Sequence, residues 1–126
     1  MSALYGEVIA EHFRRPRNQG RLESPDACHE DVNPLCGDRL RIELAIQRGR
    51  ITAARFRADA CMVATAAASL LTGFVEGLPL DEAARFPRER LLDALRAPLR
   101  PARVQCAMLP LEVLRGAIER FDGSAR

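Results

Sequence analysis

Between residues 39 and 46 the chain alternates: Leu40, Ile42, Leu44 and Ile46 are separated by Arg39, Arg41, Glu43 and Ala45. A period of two belongs to an extended strand, whose successive side chains point to opposite faces, so this stretch demands a sheet with one solvated face. Gln47-Arg48-Gly49-Arg50 supplies a turn, and Ile51 to Asp59 reads as the returning strand of a hairpin. After Cys61 the pattern becomes helical. The small-residue run Ala64-Thr65-Ala66-Ala67-Ala68-Ser69 predicts a close-packed helix to about residue 76, stopped by Gly77 and Pro79. Short helices follow at about residues 80–84 and 87–95. Pro98 and Pro101 mark a connector, after which Leu111, Val113, Leu114, Ala117, Ile118 and Phe121 form an amphipathic last helix. A proline inside a helix costs about 3 kcal/mol but is tolerated in the first turn. Pro110 therefore places the regular start of the last helix near Leu109, with Cys106 in an irregular lead-in.

The N-terminal part is less periodic. Leu4, Val8, Ile9, His12 and Phe13 recur at helical spacing until Pro16, and residues 21–35 are polar, with room for one short strand. The whole reads as an α+β fold of about three antiparallel strands, with helices concentrated in the C-terminal half. Residues 1–126, 48% hydrophobic and 29% charged, suffice for one compact domain without disulfides.

Composition narrows the chemistry. All 19 basic residues are arginine, and the absence of lysine excludes Schiff-base catalysis on this chain. The net charge is +2, and Tyr5 and five phenylalanines are the only aromatics, a weak footprint for nucleic acid. Arg14-Arg15-Pro16-Arg17 then reads as a solvated helix end. No apolar run long enough for a signal peptide or membrane span occurs, so a cytoplasmic location without membrane association is expected. In a reducing compartment four cysteines are thiols rather than bridges.

Three of those cysteines, Cys36, Cys61 and Cys106, stand in separate segments with no Cys-x2-4-Cys pair, so any shared metal site must be assembled by the fold. Cys36 and Asp38 flank Gly37, which lets the backbone turn and approach a ligand closely. Cys61 opens its helix, where the dipole and unsatisfied N–H groups favour a thiolate. Cys106 precedes the last apolar pattern. Two helix starts and a glycine turn could thus converge on one thiolate-rich pocket, although a cysteine is often an inert core residue and Asp38 also suits a turn cap. Cys28 and His29 read as a solvent-facing loop pair, His12 as a hydrogen-bonded packing residue, and Thr65 and Ser69 as bonding back to the preceding helical turn.

Taken in order, Tyr5 to Ile9 with His12-Phe13, Pro16-Arg17-Asn18 with Gly20, Asn33-Pro34 through Asp38, Cys61 with its small-residue helix, and Cys106-Ala107-Met108-Leu109 resemble the U-type iron–sulfur cluster assembly scaffolds, IscU, SufU and the N-terminal domain of NifU. The resemblance spans roughly residues 3–121. It implies a small antiparallel sheet with helices on one face and a scaffold or carrier rather than an enzyme. Cys36, Asp38, Cys61 and Cys106 would hold a transient [2Fe–2S] cluster or iron. It also implies a cysteine desulfurase that delivers sulfur and acceptor proteins that take the cluster. A zinc-loaded sulfur acceptor of the SufU kind, stimulating the desulfurase, is the alternative. Where the Isc branch commonly has histidine before the third cysteine this chain has Gln105, which shifts the fourth ligand to Asp38. The glycine before the second cysteine is Ala60. The chaperone-docking segment of that branch aligns with Leu99-Arg100-Pro101-Ala102-Arg103, keeping only the leucine and one proline.

Overall fold

The alternating stretch is the middle strand of a three-stranded antiparallel sheet, ordered β1 (Ala27–Asn33), β2 (Asp38–Gln47), β3 (Arg50–Asp59). The computed structural model describes residues 6–34 and 37–124. Arg48 and Gly49 both take positive φ, 53° and 74°, as a tight two-residue hairpin between twisted strands requires. Pairing runs from Arg39 opposite Asp59 to Ala45 opposite Ala53, and shifts at Ile46, which faces Ile51. The predicted alternation holds on the inner face, where Asp38, Leu40, Ile42, Leu44 and Ile46 are buried together with Ala54 and Phe56 of β3.

The outer face carries the arginines, yet one of its residues is not solvated. Glu43 is only 5% exposed, and its carboxylate accepts from the Leu22 N–H at 2.8 Å and from Arg41 Nε at 2.9 Å. Burial pushes the carboxyl up, but these two donors outweigh it and hold the group below the usual carboxylate range. The segment that delivers Leu22 first crosses the edge of β3. Phe56 N donates to Asn18 O and Gly20 N to Phe56 O, both at 2.9 Å.

The helices lie on the inner face. They are α1 (Gly6–Arg14), α2 (Met62–Val75), α3 (Leu80–Ala84), α4 (Arg88–Leu95) and α5 (Pro101–Ser124). Ten of the fourteen residues of α2 are buried, because it packs against α1, α5 and β3 together. Its alanines allow that close approach. No described helix is long and apolar enough to cross a membrane.

Three local expectations need correction. First, α5 is continuous from Pro101 and carries Pro110 in its interior, so Cys106 lies within the second helical turn and not in a lead-in. Tertiary packing overrides the proline penalty, since residues 106–110 are all buried. Second, Cys28 and His29 belong to β1, not to a loop. Cys28 stands on the outer face beside Arg41, while the His29 ring lies against Gly116 of α5 and its Nδ1 accepts from Arg120 Nε at 3.0 Å. Third, Thr65 does bond back, to Ala60 O at 3.5 Å, but Ser69 reaches outward. Its Oγ meets His12 Nδ1 at 2.7 Å and accepts from the Arg17 N–H at 2.8 Å.

Candidate metal centre

The hairpin that starts β2 and the junction between β3 and α2 meet beside the second turn of α5. The site forms at that meeting point. Gly37, with φ of +72°, donates its N–H to Asn33 O at 2.7 Å and closes a tight turn, so that Asp38 enters β2 opposite Asn33. The strand period then points Asp38 to the inner face, where its side chain is 4% exposed. Its Oδ1 accepts the backbone N–H of Cys61 at 2.9 Å. That bond fixes the carboxylate against the start of α2.

Cys61 is the N-cap of α2, with φ of −68° and ψ of 170°. Its Sγ accepts from the Ala64 N–H at 3.5 Å, taking the place that an oxygen usually fills at a cap. A thiol there faces the positive end of the helix dipole. Cys106 comes from the opposite side and is 1% exposed. One carboxylate oxygen of Asp38 and the two sulfurs of Cys61 and Cys106 all lie within 4.8 Å of one another. Three segments far apart in sequence therefore deliver donors to one point.

The spacing can be compared with coordination chemistry. Thiolates bound to one tetrahedral zinc at about 2.3 Å stand about 3.8 Å apart, so these donors need to move inward by at most about 1 Å to share a single ion. The donor set, two soft sulfurs and one hard oxygen, suits zinc or iron more than calcium or magnesium. Cys36 lies two residues before Asp38 but outside the described residues. Of the four residues singled out in the sequence, the structure gathers three.

A model of the NifU-like N terminal domain matches residues 4–126. This chain belongs to the NifU-like N-terminal domain family. Among its relatives is the iron–sulfur cluster assembly scaffold protein IscU 1 of Archaeoglobus fulgidus, 31% identical over 115 residues, or 91% of this chain and 74% of that protein. IscU of Escherichia coli K12, which carries the same description, is 31% identical over 124 residues, covering 93% of each chain. A solved structure from Fervidobacterium islandicum AW-1, assigned as a candidate scaffold for the SUF system, superposes with a TM-score of 0.79. It has 21% identity and covers 91% of this chain and 96% of that one, a likeness of fold.

Two positions where this NifU-like chain departs from the pattern now have a location. Ala60 is not among the described non-glycine residues with positive φ, which are Asn18, Arg48 and Arg96, so the alanine carries no left-handed strain. Gln105 is exposed on α5 and lines an open groove with Val32, Asn33, Pro34, Leu109 and Glu112. What the sequence could not reveal is the Cys61 N–H bond to Asp38. Only the hint of a helix start at Cys61, with its unsatisfied amides, pointed toward such a partner.

Proposed function

We propose that this chain is a scaffold on which an iron–sulfur cluster, a [2Fe–2S] unit or its precursor metal, is assembled and then passed on. The gathering of Asp38, Cys61 and Cys106 within 4.8 Å carries the proposal, and relatives named as cluster assembly scaffolds support it. Cys36, Asp38, Cys61 and Cys106 are the ligands in this reading. Three thiolates anchor a soft cargo, and one carboxylate binds it more weakly and leaves first. Sulfur comes from a cysteine desulfurase. A ligand thiolate attacks the outer sulfur of the donor's persulfide, a new S–S bond forms as the old one breaks, and the donor cysteine departs as thiolate. Acceptor proteins then take the cluster, in a cytoplasmic setting.

A second reading is favoured by one observation. Donors mutually within 4.8 Å match a single ion better than two irons, whose separate ligands stand farther apart. On this reading the chain holds zinc and accepts sulfur from the desulfurase, with zinc also adding to folding stability. One preparation separates the two. The protein is purified without added metal and assayed for zinc and iron, then supplied anaerobically with ferrous iron, desulfurase and cysteine. Sulfide-to-iron charge-transfer absorption is the result expected of the scaffold. Stoichiometric zinc with stimulated sulfur transfer and no such absorption would select the acceptor instead.

A further inference from the structure

Arg39 and Arg41 of β2 and Arg55 and Arg57 of β3 project from the outer face of the sheet, and three of them have an acidic partner. Arg39 lies 3.5 Å from Glu30, Arg41 2.9 Å from Glu43 and Arg55 3.2 Å from Glu76. Arg57 has neither an ion pair nor a side-chain hydrogen bond among the described residues. It also stands directly across the ladder from Arg41, where like charges destabilise a sheet. Sheet formation alone gives no reason for that pairing. Arg39, Arg41 and Arg57 line an open cavity of about 250 Å³ on this face, whose other walls are Glu30, Ala58 and Asp59. The Arg41 side chain is 33% exposed and its Nε is held by Glu43, so its guanidinium is already ordered.

We infer that this cavity is a binding site for a phosphate group, held between Arg41 and Arg57 with Arg39 beside it. Each guanidinium presents a planar fork of N–H donors. A phosphate dianion has oxygens and charge enough for two forks, whereas one carboxylate is satisfied by a single fork. Bound there, phosphate turns the repulsion between Arg41 and Arg57 into two attractions. The carboxylates in the cavity set the size of the ligand. Glu30 is drawn to Arg39, and Asp59 stands opposite that same arginine, so one phosphate is tolerated beside them while a run of phosphates, as in nucleic acid, is repelled. The ligand is therefore free phosphate or a small phosphate ester. Asp38, Cys61 and Cys106 meet on the other face of the sheet, so the inference does not depend on the metal centre.

The test titrates the full chain with sodium phosphate near neutral pH, against sodium chloride at equal ionic strength, by NMR of the arginine Nε–H signals and by thermal unfolding. Phosphate is expected to shift the Arg41 and Arg57 signals saturably and to raise the melting temperature more than chloride, which acts only by screening. Arg57→Gln is expected to bind phosphate about tenfold more weakly, as loss of a charge-assisted hydrogen bond does. Without phosphate it should be no less stable than the wild type, because one of two opposed charges is gone. An arginine with only a structural role would lose stability on replacement and leave phosphate affinity unchanged. A parallel titration with glycerol phosphate separates the sources: tighter binding than phosphate assigns the site to an ester, weaker binding to the free ion. Equal effects of phosphate and chloride, or equal phosphate affinity in wild type and variant, overturn the inference. Should Arg57→Gln fold poorly, Arg57→Lys decides, since it keeps the charge and loses the fork. Weaker phosphate binding upholds the site, and undiminished binding refutes it.

Discussion

Two buried polar clusters sit on α2, two turns apart, and they are built to opposite ends. At Ser69, fully buried, one hydroxyl oxygen joins α1 to α2 by accepting the Arg17 N–H and meeting His12 Nδ1. The buried oxygen has a hydrogen-bond partner on each side, so the cluster is complete in itself. At Cys61 a carboxylate oxygen and two sulfurs lie within 4.8 Å of one another, with backbone N–H groups of Cys61 and Ala64 donating to Asp38 Oδ1 and Cys61 Sγ. Once ionised these repel each other, and what they favour is a cation. The first cluster ties α1 to α2, and the second, on the proposed reading, gathers ligands for a metal. Burial alone does not separate a structural polar group from a functional one. The kind of atom brought together, two sulfurs beside a carboxylate against one hydroxyl with its partners, is the visible difference.

Substitution should break the two clusters in different observables. Cys106→Ala or Cys61→Ala is expected to lower zinc or cobalt(II) affinity by more than the roughly 10–100-fold that outer contacts to a metal site command. Competitive chelator titration measures this. Ser69→Ala removes the shared oxygen from the Arg17 N–H and His12, and is expected to cost about 2 kcal/mol in urea unfolding with metal affinity unchanged. A variant at Ser69 that loses metal binding while folded would dissolve the distinction.

Asp38 belongs to both kinds of cluster, and a pair of variants sharpens the comparison. Asp38→Asn keeps an oxygen for the Cys61 N–H but offers a poorer ligand, whereas Asp38→Ala removes both functions. Loss of the hydrogen bond should cost Asp38→Ala about 1 kcal/mol of stability, and Asp38→Asn much less. Both are expected to slow release of a bound cluster severalfold in an anaerobic transfer assay. If release rates match the wild type, Asp38 is a cap and not a leaving ligand.

The sheet and α2 to α4 were legible because side-chain period and Gly/Pro punctuation report directly on strands and on the ends of short helices. Two kinds of feature escaped. Pro110 argued locally against a helix through Cys106, and only the buried packing of α5 on the sheet overrides that preference. Glu43 fell in the solvent phase of the alternation, and nothing nearby announces that Leu22, twenty-one residues earlier, folds over it. The site was legible as a set of residue types in separate segments, and Asp38, Cys61 and Cys106 do meet. Its internal wiring runs through the backbone amides of Cys61 and Ala64, a group that every residue but proline possesses, and so leaves no trace in the sequence.

The smallest expected effect lies in the Ser69 cluster and comes from pH. Burial lowers the pKa of His12 below the ordinary 6.5, with the Arg17 charge adding to the effect and Glu11 opposing it. The Arg17 N–H donates to Ser69 Oγ, which keeps both a hydrogen and a second lone pair for its contact with His12 Nδ1. Because the unfolded chain binds the imidazole proton more tightly than the folded one, stability is complete above the unfolded value near 6.5. It declines as pH falls through the lower folded value. His12→Asn can present an oxygen where Nδ1 sits and does not titrate there, so its melting temperature should fall less between pH 7.5 and 5 than that of the wild type. The metal-site variants should keep the wild-type slope, since the cluster they alter is a separate one. If His12→Asn and wild type decline in parallel, the acid sensitivity in this window arises elsewhere, and not from Glu43. Its depressed carboxyl loses its stabilising charge only at lower pH, below the usual carboxylate value of 4.5.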